Sequence, residues 1–154
     1  MTFTVDDIRA KFKTELAEQN FTISRDGSKT IEILGASFIA NHPTIFGNTN
    51  MDYVNAELEW YRSESLNVND IPYDPTPKQW IYTANDEGLI NSNYGYLCFN
   101  EGNGNQFKHA VDELSANPDS RRATIIYTRP TMHKDYNENG KNDFVCTNAV
   151  TYYI

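Results

Sequence analysis

The feature that most constrains this chain is the order of its apolar patterns. Helical and strand-like stretches alternate without a regular strand–helix–strand rhythm. Val5, Ile8, Phe12 and Leu16 recur at helical spacing, with Thr4 and Asp7 placed as a capping-box pair at the start. Arg25-Asp26-Gly27-Ser28 reads as a turn. Thr30 to Ile39 reads as a strand, because Ile31 and Ile33 alternate with Thr30 and Glu32. Asn50 is placed to cap a second helix running to about Ser63. Phe107, Ala110, Val111 and Leu114 mark a third, from about Asn105 to Ala116, stopped by Asn117-Pro118. Ala123 to Thr128 and Phe144 to Ile154 read as strands. The expected class is α+β, in a single domain over residues 1–154 with no linker or internal repeat.

Composition narrows the function. Against 13 Lys+Arg stand 21 Asp+Glu, a formal charge of −8 that repels duplex nucleic acid unless the cations are gathered in one place. A small anionic ligand needs only two or three cations, so nucleotides remain open. No apolar run approaches the ~20 residues of a membrane helix. The N-terminus lacks the pattern of a signal peptide, so a cytoplasmic protein is expected. The 2 cysteines make neither a disulfide framework nor a complete zinc site, and His42, His109 and His133 are scattered; no metal is expected. The apolar run ending at Ile154 closes without Gly, Pro or charge, which reads as a cut strand more readily than as a terminal strand tucked into the sheet.

Four places could carry chemistry. Glu57 has Tyr53, Val54, Trp60 and Tyr61 as its helical neighbours, whereas Glu59 faces Asn55, Ala56, Arg62 and Ser63. A carboxylate on an apolar stripe suits general acid/base work, since burial raises its pKa; a structural carboxylate or a rotated helix is the bland reading. Cys146 falls on an expected strand beside Asn148, Val150 and Tyr152. A lone strand cysteine is usually inert, and reactivity needs a nearby cation such as the Arg121-Arg122 pair. Cys98 has no such company and reads as core. Arg121 and Arg122, at a helix-to-strand turn, could fork onto a phosphate or simply answer Asp119 and other acids. Asp135 to Asp143 matches the early positions of a calcium loop. Cys146 stands where the closing Glu belongs, so a surface turn is the better reading.

In combination these residues resemble the thymidylate synthase family. Glu57-Leu58-Glu59-Trp60 is similar to its E-L-x-W helix and Asp119-Ser120-Arg121-Arg122 to its D-S-R-R phosphate motif. Tyr94-Gly95 is similar to its active-site Y-G, and Cys146 falls at its catalytic cysteine. The family's P-C-H at the nucleophile is Val145-Cys146-Thr147 here. The stretches Gly35-Ala36-Ser37-Phe38, Ile90 to Gly95 and Ile126 to Pro130 resemble the branch that hydroxymethylates deoxycytidylate. The likeness runs from about residue 5 to 154 and covers only the first part of the family's fold.

The resemblance implies a thymidylate synthase-like fold and transfer of a hydroxymethyl group to C5 of deoxycytidylate (dCMP) from 5,10-methylenetetrahydrofolate. It implies Cys146 as nucleophile and Glu57 as proton relay. Trp80, with Glu57, would line the folate cavity, and Tyr94 and Asn148 would meet the nucleotide. Arg25, Arg121 and Arg122 would hold phosphate, the Arg pair across a homodimer with shared active sites. A thymidylate synthase or deoxyuridylate (dUMP) hydroxymethylase is the alternative within the family. A non-catalytic fragment, or half of a split enzyme needing a complementing C-terminal polypeptide, is the alternative outside it.

Overall fold

The structure is a computed structural model that describes residues 3–24, 26–132 and 143–154. It mixes helices with short two-stranded sheets, so the α+β class holds. The chain divides into two compact units, Met1–Asn50 and Met51–Ile154.

In the first unit, strand β1 (Phe3–Thr4) leads directly into helix α1 (Val5–Ala17). The Asp7 carboxylate accepts from the Thr4 amide and the Thr4 hydroxyl, each at 2.8 Å, which closes the expected cap. Val5 and Ile8 are buried, but Leu16 is 57% exposed, so the apolar stripe is covered only at its start. The Arg9 guanidinium donates to the Thr44 and Ile45 carbonyls at 2.9 and 2.5 Å. Strands β2 (Thr22–Ile23) and β3 (Lys29–Thr30) pair antiparallel around the expected turn, with Gly27 at φ +84°. Strand β4 (Phe38–Ile39) pairs parallel with β1.

The continuous strand expected from Thr30 to Ile39 is therefore a correction. It contributes only the ends of that span, to two different sheets. Gly35 turns the backbone at φ +66°, and Leu34 beside it is 88% exposed. Alternation without a pairing partner does not make a strand.

The second unit holds the larger core. Helix α2 (Met51–Ser63) buries Ala56 and Trp60, and Trp60 is 0% exposed. Around Trp60 gather Val68, Ile71, Ala84 and Ile90, with Trp80 of the short helix α3 (Lys78–Thr83) against them. A second cluster joins Leu97 and Cys98 of helix α4 (Tyr94–Phe99) to Ala110 of helix α5 (Gln106–Ala116). Ile125 of strand β5 (Thr124–Ile126) completes it, with Tyr127, Met132 and Val145. Asn105, expected as the first residue of α5, is instead its cap: the Asn105 side chain accepts from the Lys108 amide at 3.3 Å. Strand β6 (Ala149–Thr151) pairs antiparallel with β5. The strand expected over Phe144–Ile154 thus shrinks to its middle, and that over Ala123–Thr128 to Thr124–Ile126. None of the described helices is long and apolar enough to cross a membrane.

Candidate active site

Glu57 lies one position off the buried ridge that runs through Ala56 and Trp60. It is half-buried rather than on the core stripe, and Ala56, expected on the solvated face, is buried instead. This places the carboxylate at the lip of the core, among aromatic side chains. One turn back along α2, the Tyr53 hydroxyl donates to Glu57 Oε1 at 2.7 Å. Trp80 Nε1 donates to the same hydroxyl oxygen at 2.8 Å. The indole can only donate, so the single phenolic hydrogen of Tyr53 is free to point at the carboxylate. Burial and the bond to Glu57 push the Tyr53 pKa up to about 12. Burial first, then the charge of Glu57, raises that of Tyr61 as well. Both phenols stay protonated beside the acid. Trp80 is held edge-on against Trp60 at 5.3 Å, so the expected cavity-lining residue does meet the Glu57 network, through Tyr53.

Tyr94 opens α4. The preceding Asn93 is fully buried and caps the helix by accepting from the Tyr96 amide at 2.9 Å. Its side-chain amide donates to the carbonyls of Trp60 and Ser65 at 3.2 and 2.7 Å, which ties α4 to the end of α2. The following Gly95 lies so close to the Tyr61 carbonyl that no side chain fits there. The Tyr94 ring is gripped edge-on between Tyr61 at 5.8 Å and Tyr127 at 5.0 Å. Its hydroxyl accepts from the amides of Cys146 and Thr147 at 3.1 and 3.3 Å. Its own hydrogen is left to donate elsewhere.

Cys146 is a free, exposed thiol. It lies at a bend before β6, not on the strand that was expected. The reason is local: its amide bonds the Tyr94 hydroxyl, and ladder pairing begins only at Ala149. Asn148 is exposed, and its carbonyl accepts from the amides of Tyr127 and Thr128 at 2.9 and 3.3 Å. Cys98 is buried, as expected, and burial raises its thiol pKa. The structure therefore separates an accessible thiol from an inert one.

The Arg pair stands elsewhere. Arg122 donates to Glu113 Oε1 through Nε at 3.1 Å and Nη2 at 2.9 Å, and the Ser120 hydroxyl shares that oxygen at 2.5 Å. Its answering acid is Glu113 of α5, not Asp119. These bonds hold the Glu113 carboxyl below its usual range. Arg121 is exposed, with its guanidinium 5.9 Å from the Tyr153 ring centre. The arginines precede Thr124, which pairs with Thr151, whereas Cys146 precedes Ala149, which pairs with Ile126. Pair and thiol thus sit at opposite ends of the β5–β6 ribbon. Arg25 lies outside the described residues. Beside it Asp26 accepts from the Ser24 and Ser28 hydroxyls and the Ser28 amide, and these bonds hold its carboxyl far below the usual range.

Most of the suspected calcium loop, 135–142, also lies outside the described residues. Its last member, Asp143, is 5% exposed and turned inward. It accepts from the amides of Asn91 and Ser92 and from the Ser92 hydroxyl. Among the described residues no three His, Cys, Asp or Glu side chains gather as a metal site. Sequence reasoning passed over Tyr53, Asn93 and Asp143. Tyr53 had a usable signal, a hydroxyl four residues before the acid on one helix face.

No protein-family model matches the chain. The chain is similar to deoxycytidylate 5-hydroxymethyltransferases of Enterobacteria phages T4, T2 and T6. It is 50% identical to each over 153 residues, which is 99% of this chain. It spans 62% of the length of each of these relatives.

Proposed function

We propose that this chain belongs to an enzyme that transfers a hydroxymethyl group to C5 of dCMP. It would form the first part of a thymidylate synthase-like domain. The observation that carries the reading is the 50% identity to proteins of that name, which extends over 99% of the chain. The geometry supports the same chemistry. It offers an accessible thiol whose backbone is anchored by a tyrosine, and a carboxylate oriented by a second tyrosine.

In this reading the Cys146 thiolate adds to C6 of the pyrimidine and makes C5 nucleophilic. A folate donor, 5,10-methylenetetrahydrofolate, supplies one carbon at the oxidation level of formaldehyde. Glu57 relays the protons that leave and return, and orients the water that adds to the new C5 substituent. Cys146 then leaves C6. Nucleotide, one-carbon donor and water enter; hydroxymethylated nucleotide and tetrahydrofolate leave, and no electrons are gained or lost. Trp80, behind Tyr53, borders the folate side, while Tyr94 and Asn148 border the nucleotide. No metal is required.

Arg121 and Arg122 bind the nucleotide phosphate. Their position at the far end of the β5–β6 ribbon from Cys146 favours service to the second site of a homodimer over service to their own. Arg25 contributes from its turn. A cytoplasmic location suits a free nucleotide substrate. The test is product analysis with the natural full-length protein, dCMP and 5,10-methylenetetrahydrofolate. The reading expects 5-hydroxymethyl-dCMP. A methylated product, or turnover of dUMP in preference to dCMP, would overturn it.

A further inference from the structure

We propose that Asp143 is a positioning residue that sets the Cys146 nucleophile; the inference rests on the assignment of Cys146 as nucleophile made above. A buried carboxylate is costly unless donors surround it. Among the described residues Asp143 meets three: the amides of Asn91 and Ser92, the latter at 3.0 Å, and the Ser92 hydroxyl. These donors do not belong to the helix cap, which Asn93 already supplies to α4. They belong to the segment that delivers Tyr94.

The bonding is reciprocal. The side chain of Asp143 grips the backbone at 91–92, and the side chain of Tyr94 grips the backbone at 146–147. Between the two anchors lie only Phe144 and Val145, and Val145 is buried in the core beside Leu97 and Ile125. Among the described residues no strand ladder reaches Cys146, since β6 begins at Ala149. Its place is set by this clasp instead. Three residues span at most about 10 Å, so a shift at Asp143 has little slack in which to dissipate before it reaches the thiol.

A carboxylate that merely stabilises the fold would behave differently when its length is changed. Asp143→Glu keeps the charge and the acceptors but moves the anchor by one methylene. Asp143→Asn keeps the length and an acceptor for the amides. Three readouts on the natural full-length protein decide. The first is release of label from C5-tritiated dCMP, the second nucleotide affinity, and the third hydrogen exchange of the Cys146 and Thr147 amides. Slow alkylation of Cys98 reports that the core is intact. With Cys98 protected and nucleotide affinity unchanged, Asp143→Glu and Asp143→Ala should lose about 10²-fold in release, the scale of an ångström of misplacement. They should also lose protection at the Cys146 amide, while Asp143→Asn keeps most of both. Wild-type release in Asp143→Glu, or equal loss in Asp143→Asn and Asp143→Glu, would overturn the proposal. Release that survives in Cys146→Ala would instead sink the nucleophile assignment, and the amide exchange of the Asp143 variants would still report on the clasp.

Discussion

Gly95→Ala tests the packing that brings the two tyrosines together. A Cβ at this position would overlap the Tyr61 carbonyl group and stand 2.8 Å from the Tyr61 Cα. The obstacle is main chain, so no rotamer change relieves it, and α4 must lift away from α2. The lift strains the bonds from the buried Asn93 side chain to the Trp60 and Ser65 carbonyls. Overpacking costs about 1–3 kcal/mol and each weakened hydrogen bond about 1 kcal/mol. The better helix propensity of Ala returns at most about 1 kcal/mol. A net loss of about 2–4 kcal/mol follows, a large share of the stability of an ordinary domain. Reversible urea unfolding, followed by the fluorescence of Trp60 and Trp80, measures it directly. Both tryptophans lie in the cluster against α2. A variant as stable as the parent would refute the close approach of the two helices.

Other consequences are open to direct measurement. Tyr53→Phe deprives Glu57 of a charge-assisted bond worth about 1.5–3 kcal/mol, so kcat should fall by about 10- to 100-fold with nucleotide Kd unchanged. Loss of binding without loss of kcat would contradict this role. Arg121→Ala and Arg122→Ala should each weaken dCMP by about 1.5–3 kcal/mol while sparing deoxycytidine. Equal weakening of both would reduce Arg122 to a partner of Glu113. Iodoacetamide should modify Cys146 and spare Cys98, as peptide mass mapping would show. Burial raises the Cys98 pKa in the folded state, so its contribution to stability is full below the ordinary thiol pKa of about 8.5 and is lost as pH rises beyond it. A Cys98→Ala variant whose alkaline stability fell just as steeply would exclude Cys98 as a source of that loss.

Long helices with caps were readable from the chain alone. Thr4 with Asp7 announces α1 because a cap is a local bond between near neighbours, and α5 was legible from the spacing of Phe107, Ala110, Val111 and Leu114. Strands were overextended because alternation records apolar residues but not partners. The stretch 31–37 alternates, yet it turns at Gly35 and pairs in no sheet among the described residues. Helices α3 and α4 span 6 residues each, too short for a period to show, and owe their form to Asn93, Gly95 and the Trp60 cluster. The candidate site was legible as a set of residue types at known spacings. Its wiring was not. Tyr53 counted as an apolar neighbour of Glu57 although its hydroxyl matters most, and Asp143 looked like a surface turn because its partners lie some 50 residues away.

The central claim is attack by Cys146 on C6, and release of tritium from C5-labelled dCMP tests it most directly. Addition at C6 loosens the C5 hydrogen before any carbon is transferred. Measured on the natural full-length protein, release should persist in Cys98→Ala and disappear in Cys146→Ala. Glu57→Gln should still bind nucleotide but turn over about 10²–10⁴ more slowly. Undiminished release in Cys146→Ala would contradict the account.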